Sequence, residues 1–291
     1  MPSSPAFICS RDDTNLEIER LKENGQLIEH LKPMAYGDKI AIPVREGEVI
    51  LDFETVVNDK PLSKLAKIIV NPPTKWEKLG DLIVFREGTN TSDWPLDKVA
   101  EVLNADKLAI QATIDSGIER KSRMQLIFGT DGRVNHKENG VNYVFDATES
   151  MFSSGNVTER GRMGKLDARG EIVVDAYAGI GYYTLQLLVN AGAELVHACE
   201  INPVSIEALR KGLAKNKVTD RCKIYEGDNR KTMRSLKGIA DRVILGLIPS
   251  SMNTWGLAVN CLKQTGGIIH VHMNVHKNEI TEWSNKTADW F

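Results

Sequence analysis

From Gly170 onward, short apolar runs alternate with amphipathic stretches. Val173-Val174-Asp175, Leu195 to Cys199, Lys223 to Tyr225, Arg242 to Leu245 and Gly267 to Val271 read as five strands. Between the first two, Tyr182 to Ala191 has helical character and stops at Gly192. Asn202 followed by Pro203 opens a second helix running to Asn216, because Asn caps orphan N–H groups and Pro is pre-set for the first helical position. Strands joined by crossover helices, the first two closed by acidic residues, predict a doubly wound, mostly parallel α/β sheet.

The chain before Gly170 has another texture. Leu16, Ile18, Leu21, Leu27, Ile28 and Leu31 recur among charges as in an amphipathic helix, and Lys39 to Ile42 is a short strand ended by Pro43 and Gly47. Asn71-Pro72-Pro73 marks a boundary. Beyond it, Leu82 to Phe85 predicts a buried strand, Leu96 to Leu103 a helix and Lys107 to Thr113 a strand. Met124 to Phe128 and Val141 to Phe145 are expected as antiparallel strands, and Asn139-Gly140 supplies a hairpin turn at positive φ. The chain thus divides into an N-terminal variable region (1–70), a smaller α+β domain (71–148) and the α/β domain (149–291).

Composition narrows the class. Apolar residues at 42% and charged residues at 26% of 291 positions exclude a disordered chain and allow a sizeable core. No apolar stretch approaches the roughly 20 residues of a bilayer span. Met1 to Ser10 has no cationic segment leading into an apolar one, and Cys9, Cys199, Cys222 and Cys261 show no framework spacing, so a reducing, cytoplasmic setting is expected. With 37 Lys and Arg against 39 Asp and Glu, no global basic field exists for nucleic acid. A local stripe can still form from Arg120-Lys121-Ser122-Arg123 with Arg160, Arg162, Lys165 and Arg169, or these can be an ordinary mixed-charge face.

The candidate chemistry clusters at the strand ends. Ala178-Gly179-Ile180-Gly181 turns after the first strand and brings backbone N–H groups to the head of a helix. Glu200 lies 21 residues after Gly179, where a carboxylate can accept both hydroxyls of a ribose. Asp228-Asn229 follows the third strand and opens on the same crevice, which points to a nucleoside ligand. Thr184 stands where a dinucleotide fingerprint wants Gly or Ala, which argues against a dinucleotide. Asp175 and Asp228 suit an S-adenosylmethionine site better and are expected to bind the cofactor; the alternative for Asp175 is a carboxylate that caps its loop. His270, His272 and His276 raise a metal site, but without a carboxylate or Cys partner nearby no metal is expected. Tyr177, Tyr182 and Tyr183 read as packing residues, at most one of them lining the pocket.

Several strings together resemble a known family. They are Met151-Phe152-Ser153-Ser154-Gly155-Asn156-Val157-Thr158-Glu159-Arg160, Asp175-Ala176-Tyr177-Ala178-Gly179-Ile180-Gly181-Tyr182, His197-Ala198-Cys199-Glu200, Gly227-Asp228-Asn229-Arg230 and Asp241 to Ser251. Over Trp76 to Val275 the chain is similar to the tRNA wybutosine-synthesising protein 2 family; residues 1–70 carry no such resemblance. The resemblance implies a Rossmann-like class I methyltransferase fold that uses S-adenosylmethionine as donor of its 3-amino-3-carboxypropyl group. The implied acceptor is C7 of 4-demethylwyosine at position 37 of tRNA(Phe), in the anticodon region, and the by-product is methylthioadenosine. It further implies that Ser153 and Arg160 contact the donor, Glu200 holds its ribose, Asp228 and Asn229 bracket its adenine, and residues 71–148 recognise tRNA. A monomeric enzyme is expected.

A related enzyme, the guanine-37 N1 methyltransferase, resembles an Asn-Leu-Pro pattern after the fourth strand. Here Gly246-Leu247-Ile248-Pro249 offers no amide, and Leu247, Ile248 and Pro249 suit stacking on a bulky tricyclic base. A non-catalytic protein that binds tRNA or the cofactor is the third alternative. The resemblance implies a fold that continues past the fifth strand through a helix into a strand hairpin, whereas 19 residues follow His272, so the domain is expected to lack the final strands, either as a truncated or alternative product or with Glu279 to Phe291 substituting a short cap.

Overall fold

The computed structural model describes residues 2–29, 31–54, 60–112 and 122–291. The chain divides into two compact units, Met1–Val70 and Asn71–Phe291.

In the first unit β1 (Ser3–Cys9), α1 (Thr14–Glu23), β2 (Met34–Tyr36), β3 (Lys39–Pro43), β4 (Val49–Asp52) and α2 (Pro61–Leu65) follow one another. The strands form an antiparallel sheet in the order β2-β3-β1-β4. The helical spacing expected to reach Leu31 ends at Glu23. Gly25, at φ +66°, turns the chain, Leu27 bridges to Val44, and the Ile28 N–H donates to the Pro43 carbonyl at 3.0 Å. Leu27, Ile28 and Leu31 still pack into the small cores of this unit, but from a turn rather than a helix.

The second unit opens with β5 (Glu77–Leu79), β6 (Leu82–Phe85), α3 (Leu96–Val102), β7 (Lys107–Ile110) and β8 (Gln125–Phe128), whose strands form one sheet in chain order with only β6 and β7 parallel. Next comes a hairpin of β9 (Arg133–Glu138) and β10 (Val141–Asp146), turned by Asn139 at φ +49° and Gly140 at φ +82°. The turn falls where the sequence places it, but β8 pairs with β7, and the partner of β10 is the polar strand Arg133–Glu138. That strand escapes a pattern reading because Val134 is its one fully apolar buried position.

The rest of the unit runs α4 (Val157–Gly164), β11 (Ile172–Asp175), α5 (Thr184–Val189), β12 (Leu195–Glu200), α6 (Pro203–Lys215), β13 (Cys222–Glu226), α7 (Asn229–Thr232), β14 (Arg242–Leu245), α8 (Trp255–Cys261), β15 (Ile268–Val271) and α9 (Ile280–Trp290). The five strands are all parallel, in the order β13-β12-β11-β14-β15. Asn202 caps α6 by accepting the Val204 N–H at 2.9 Å, and Pro203 takes the first helical position.

Alternation along the strands sends side chains to two cores. On one face Val173, Val196, Ala198 and Ile244 meet Leu185, Leu188, Leu209 and Leu213. The same core takes in Tyr143 and Phe145 of the hairpin with Leu82 and Val84, so residues on both sides of position 148 share it. On the other face Val174, Cys199, Val243 and Leu245 meet Met233, Leu236, Trp255 and Cys261. Each fully buried Leu, Val or Ile removes enough apolar surface from water to contribute roughly 1.5–3 kcal/mol. Beyond β15, α9 brings the Trp290 and Phe291 rings to 5.1 and 5.0 Å from Trp255. Among the described residues, no helix is long and apolar enough to cross a membrane.

Candidate functional site

From β11 the chain builds outward first to β12 and β13, then in the opposite direction to β14 and β15. The loops leaving neighbouring strands β11 and β14 therefore part, opening a crevice at the carboxyl ends of the sheet. A cavity of about 420 Å³ lies there, lined among others by Gly179, Glu200, Asp228, Asn229 and Leu247. These five of the ten residues singled out from the sequence are thus brought together.

Glu200 ends β12 and is held by backbone. One carboxylate oxygen accepts the Gly179 N–H at 2.7 Å; the other accepts the N–H groups of Ile201 and Asn202 at 2.9 and 2.8 Å. An ionised carboxylate offers about four acceptor sites, so one remains for a ligand hydroxyl. Gly179 takes φ +55°, and a Cβ there would lie 2.7 Å from the Tyr182 ring, so glycine is required.

Asp228 caps α7 by accepting the Arg230 N–H at 2.9 Å and also takes the Arg230 guanidinium at 2.6 Å. These contacts hold its carboxyl down at about 2, and it is ionised across the physiological range. Asn229 donates its amide to the Ala176 carbonyl at 2.8 Å, tying the loop after β13 to the end of β11.

Asp175 does not line the cavity. It is fully buried beneath the turn, accepting the Thr184 hydroxyl at 2.7 Å and the Tyr177 N–H at 3.3 Å. Desolvation pushes its carboxyl up to about 6 despite these bonds. The loop-capping reading of Asp175 is the one its geometry matches.

Ser153 and Arg160, expected to grip the ligand, also stand outside the lining. Arg160 is 1% exposed, and its guanidinium forks onto Glu138 of β9 at 2.6 and 2.7 Å. A third N–H donates to the Ser153 carbonyl at 2.7 Å, and the group stacks on Phe152, 4.6 Å from the ring centre. Its charge is committed to an internal pair that fixes the segment before α4. Of the apolar loop, Leu247 lines the cavity while Ile248 and Pro249 do not.

Other wall residues escaped the sequence reading. Tyr177 and Tyr182 both line the cavity, against the expectation of at most one, while Tyr183 packs 4.6 Å from His272. Met151, Asn253 and Thr254 complete this side, Thr254 paired with the Tyr177 hydroxyl at 3.0 Å. The Ser and Thr residues before α8 hint at a helix start, but nothing in the sequence aims it at the crevice. Cys199 also reaches the wall, and burial pushes its thiol up to about 12, so it is no thiolate nucleophile.

The histidines are separately engaged. His270 accepts an Arg242 N–H at 2.6 Å, and burial with that charge depresses it to about 4; His272 pairs with Glu159 at 2.8 Å. Of the proposed basic stripe, Arg120 and Lys121 lie outside the described residues. Arg160 is buried on Glu138, while Arg162 and Arg169 lie at the surface, paired with Glu159 and Asp167 at 2.8 and 2.7 Å.

Residues 134–287 match the TRM5/TYW2 methyltransferase domain family. The chain is 48% identical to "tRNA wybutosine-synthesizing protein 2/3/4" of Oryza sativa subsp. japonica over 84% of its length, covering 24% of that protein. It spans between about a quarter and about half of the length of the first curated relatives it matches. Similar solved structures include the following three. TYW2 of P. horikoshii in complex with MeSAdo is 30% identical, with a TM-score of 0.64 over 77% of this chain and 80% of that one. TYW2 of M. jannaschii in complex with AdoMet is 28% identical, with a TM-score of 0.58 over 73% and 82%. Trm5b of Pyrococcus abyssi is 25% identical, with a TM-score of 0.68 over 98% and 88%, so this likeness reaches into residues 1–70, which the sequence strings do not. The doubly wound sheet is thus a Rossmann-like class I methyltransferase fold, and the chain, with more than half its residues inside the matched domain, belongs to the TRM5/TYW2 methyltransferase domain family.

Proposed function

We propose that this chain binds S-adenosylmethionine in the crevice and transfers its 3-amino-3-carboxypropyl group to C7 of 4-demethylwyosine at position 37 of tRNA(Phe), a step of wybutosine biosynthesis. The reaction forms a bond from C7 to the arm carbon next to sulfur, breaks that carbon–sulfur bond with its electrons going to sulfur, and releases the C7 proton. Methylthioadenosine is the by-product. The observation that carries the reading is the pairing of Glu200 with Gly179 beside an apolar wall at Leu247. The names of the relatives, and the AdoMet and MeSAdo held in the two similar TYW2 structures, support it.

The residues present fit the donor. The remaining acceptor site of Glu200 suits a ribose hydroxyl, Ile201 and Leu247 give a base apolar contact, and Asn229 is held at the crevice edge. When bound, S-adenosylmethionine supplies a sulfonium with three electrophilic carbons. Which of them meets the acceptor is a matter of orientation, with reacting atoms about 3–3.5 Å apart, so the protein catalyses by fixing its walls. In this reading Arg160 and Ser153 act from behind the wall, and Asp175 shapes the turn. Residues 71–148 contribute to recognition of the tRNA anticodon region, and the enzyme works as a cytoplasmic monomer.

One observation favours a second reading. Asn253 puts a carboxamide on the cavity wall, an amide that the Gly246 to Pro249 loop lacks, and such a group can hydrogen-bond a guanine edge. This suits a guanine-37 N1 methyltransferase. Chromatography of the spent donor separates the two. Methylthioadenosine formed in step with tRNA modification supports aminocarboxypropyl transfer, and S-adenosylhomocysteine supports methyl transfer.

A further inference from the structure

Two consecutive tyrosines follow the glycine turn, and their surroundings differ. Tyr183 is buried against His272, and a Cβ added to Gly246 would come within 3.2 Å of its ring. Tyr182 instead faces the cavity and touches three parts of its frame. Its ring lies so close over Gly179 that a Cβ there would clash at 2.7 Å. Its hydroxyl donates to the carbonyl of Met151, a neighbouring wall residue 31 positions earlier. Its own carbonyl accepts the Tyr143 hydroxyl at 3.2 Å, and Tyr143 in turn accepts an amide N–H of Gln186 on α5 at 3.0 Å.

This chain of contacts links the hairpin, α5, the glycine turn and the segment before α4. That segment is irregular at Met151 to Ser153, with no strand or helix to hold it. Its further anchors are the Ser150 N–H donating to the Asp146 carbonyl at 2.8 Å, the Phe152 ring packed among His136, Tyr143 and Phe145, and the buried Arg160 donating to the Ser153 carbonyl. Removing the Tyr182 hydroxyl would therefore free the Met151 carbonyl between the anchors at Ser150 and Phe152, where the wall borders the cavity.

We infer that Tyr182 is a positioning residue that fixes the distance between the glycine turn and the Met151 wall, and thereby the pose of the sulfonium donor; this rests on the reading proposed above. A wall displaced by an ångström matters more for transfer than for binding, because reaction depends on in-line approach while burial of the nucleoside does not.

The test is Tyr182→Phe, which keeps the ring over Gly179 and removes the donor to Met151. Transfer is followed on whichever donor carbon the wild-type enzyme moves, with donor affinity by calorimetry and amide hydrogen exchange of the peptide containing residues 150–153 in the free protein. The expected result is a kcat at least about ten-fold lower, a Kd for S-adenosylmethionine changed less than about three-fold, and faster exchange at 150–153. Tyr143→Phe, one contact further away, is expected to change kcat in the same direction by less. Unchanged exchange at 150–153, an unchanged kcat, or kcat and Kd worsening together with a fall in Tm would overturn the assignment. If the wild type moves the methyl carbon instead, the proposed reaction fails, while the effect of Tyr182→Phe on that transfer still decides the positioning role.

Discussion

The carboxylate of Glu200 at the tip of β12 accepts the backbone N–H of Gly179 at 2.7 Å, so the acid of the second strand is bound to the turn that follows the first. This contact and the two from Ile201 and Asn202 hold the carboxylate in place before any ligand arrives, leaving its remaining lone pair toward the crevice. Replacing it with Gln gives one donor group where only acceptors fit. We expect Glu200→Gln to weaken binding of S-adenosylmethionine by about ten-fold or more, as hydrogen bonds to charged groups contribute about 1.5–3 kcal/mol. Isothermal titration against wild type checks it, and equal dissociation constants would remove Glu200 from the site.

Asp175 gives a pH dependence with a defined sign. Its carboxyl moves from an ordinary 3.8 to about 6 on burial, so between those values the folded protein keeps a proton that the unfolded chain has released. This contribution is fully present below pH 3.8 and is lost as pH rises through about 6. Asp175→Asn carries no charge and can still accept from Tyr177 while donating to Thr184. We expect the variant to be more stable than wild type at pH 7 by about 2 to 3 kcal/mol, with the difference fading below pH 4. Urea denaturation of both proteins across this range measures it, and a variant less stable at pH 7 would contradict it.

Arg160 separates structural from ligand roles. With its guanidinium buried on Glu138, Arg160→Met strands a carboxylate and should cost about 3–5 kcal/mol. Adding Glu138→Gln should recover a large part of that loss, because the uncompensated charge disappears with it. Thermal unfolding of wild type, both single variants and the double variant gives the coupling. Independent, additive losses would mean that the ion pair does not hold this segment.

Much of the second unit was legible because period and punctuation agreed. Arg242–Leu245 and Pro203–Lys215 follow directly from an apolar run and from the Asn202-Pro203 cap. Glu200 was legible as well, since its place at a strand end follows from spacing alone. What escaped depends on tertiary contacts. Nothing local shows that Arg133–Glu138 is a strand, because its pairing is supplied by β10. Arg160 looked like an open cation because its partner Glu138 is 22 positions away and on another element. Tyr182 and Tyr183 are chemically identical in sequence, and only the direction each takes out of the turn sends one to the cavity and the other to the core. In the first unit a single glycine, Gly25, ended a helix whose apolar spacing continued beyond it.

The central claim concerns which carbon of the donor moves. S-adenosylmethionine labelled separately in its methyl carbon and in its carboxyl carbon should be incubated with the protein and tRNA(Phe) bearing 4-demethylwyosine, and the label entering RNA counted. Carboxyl label in the tRNA, with the methyl label recovered in methylthioadenosine, is the predicted result. Methyl label in the tRNA with carboxyl label left in solution would contradict aminocarboxypropyl transfer and make the enzyme a methyltransferase.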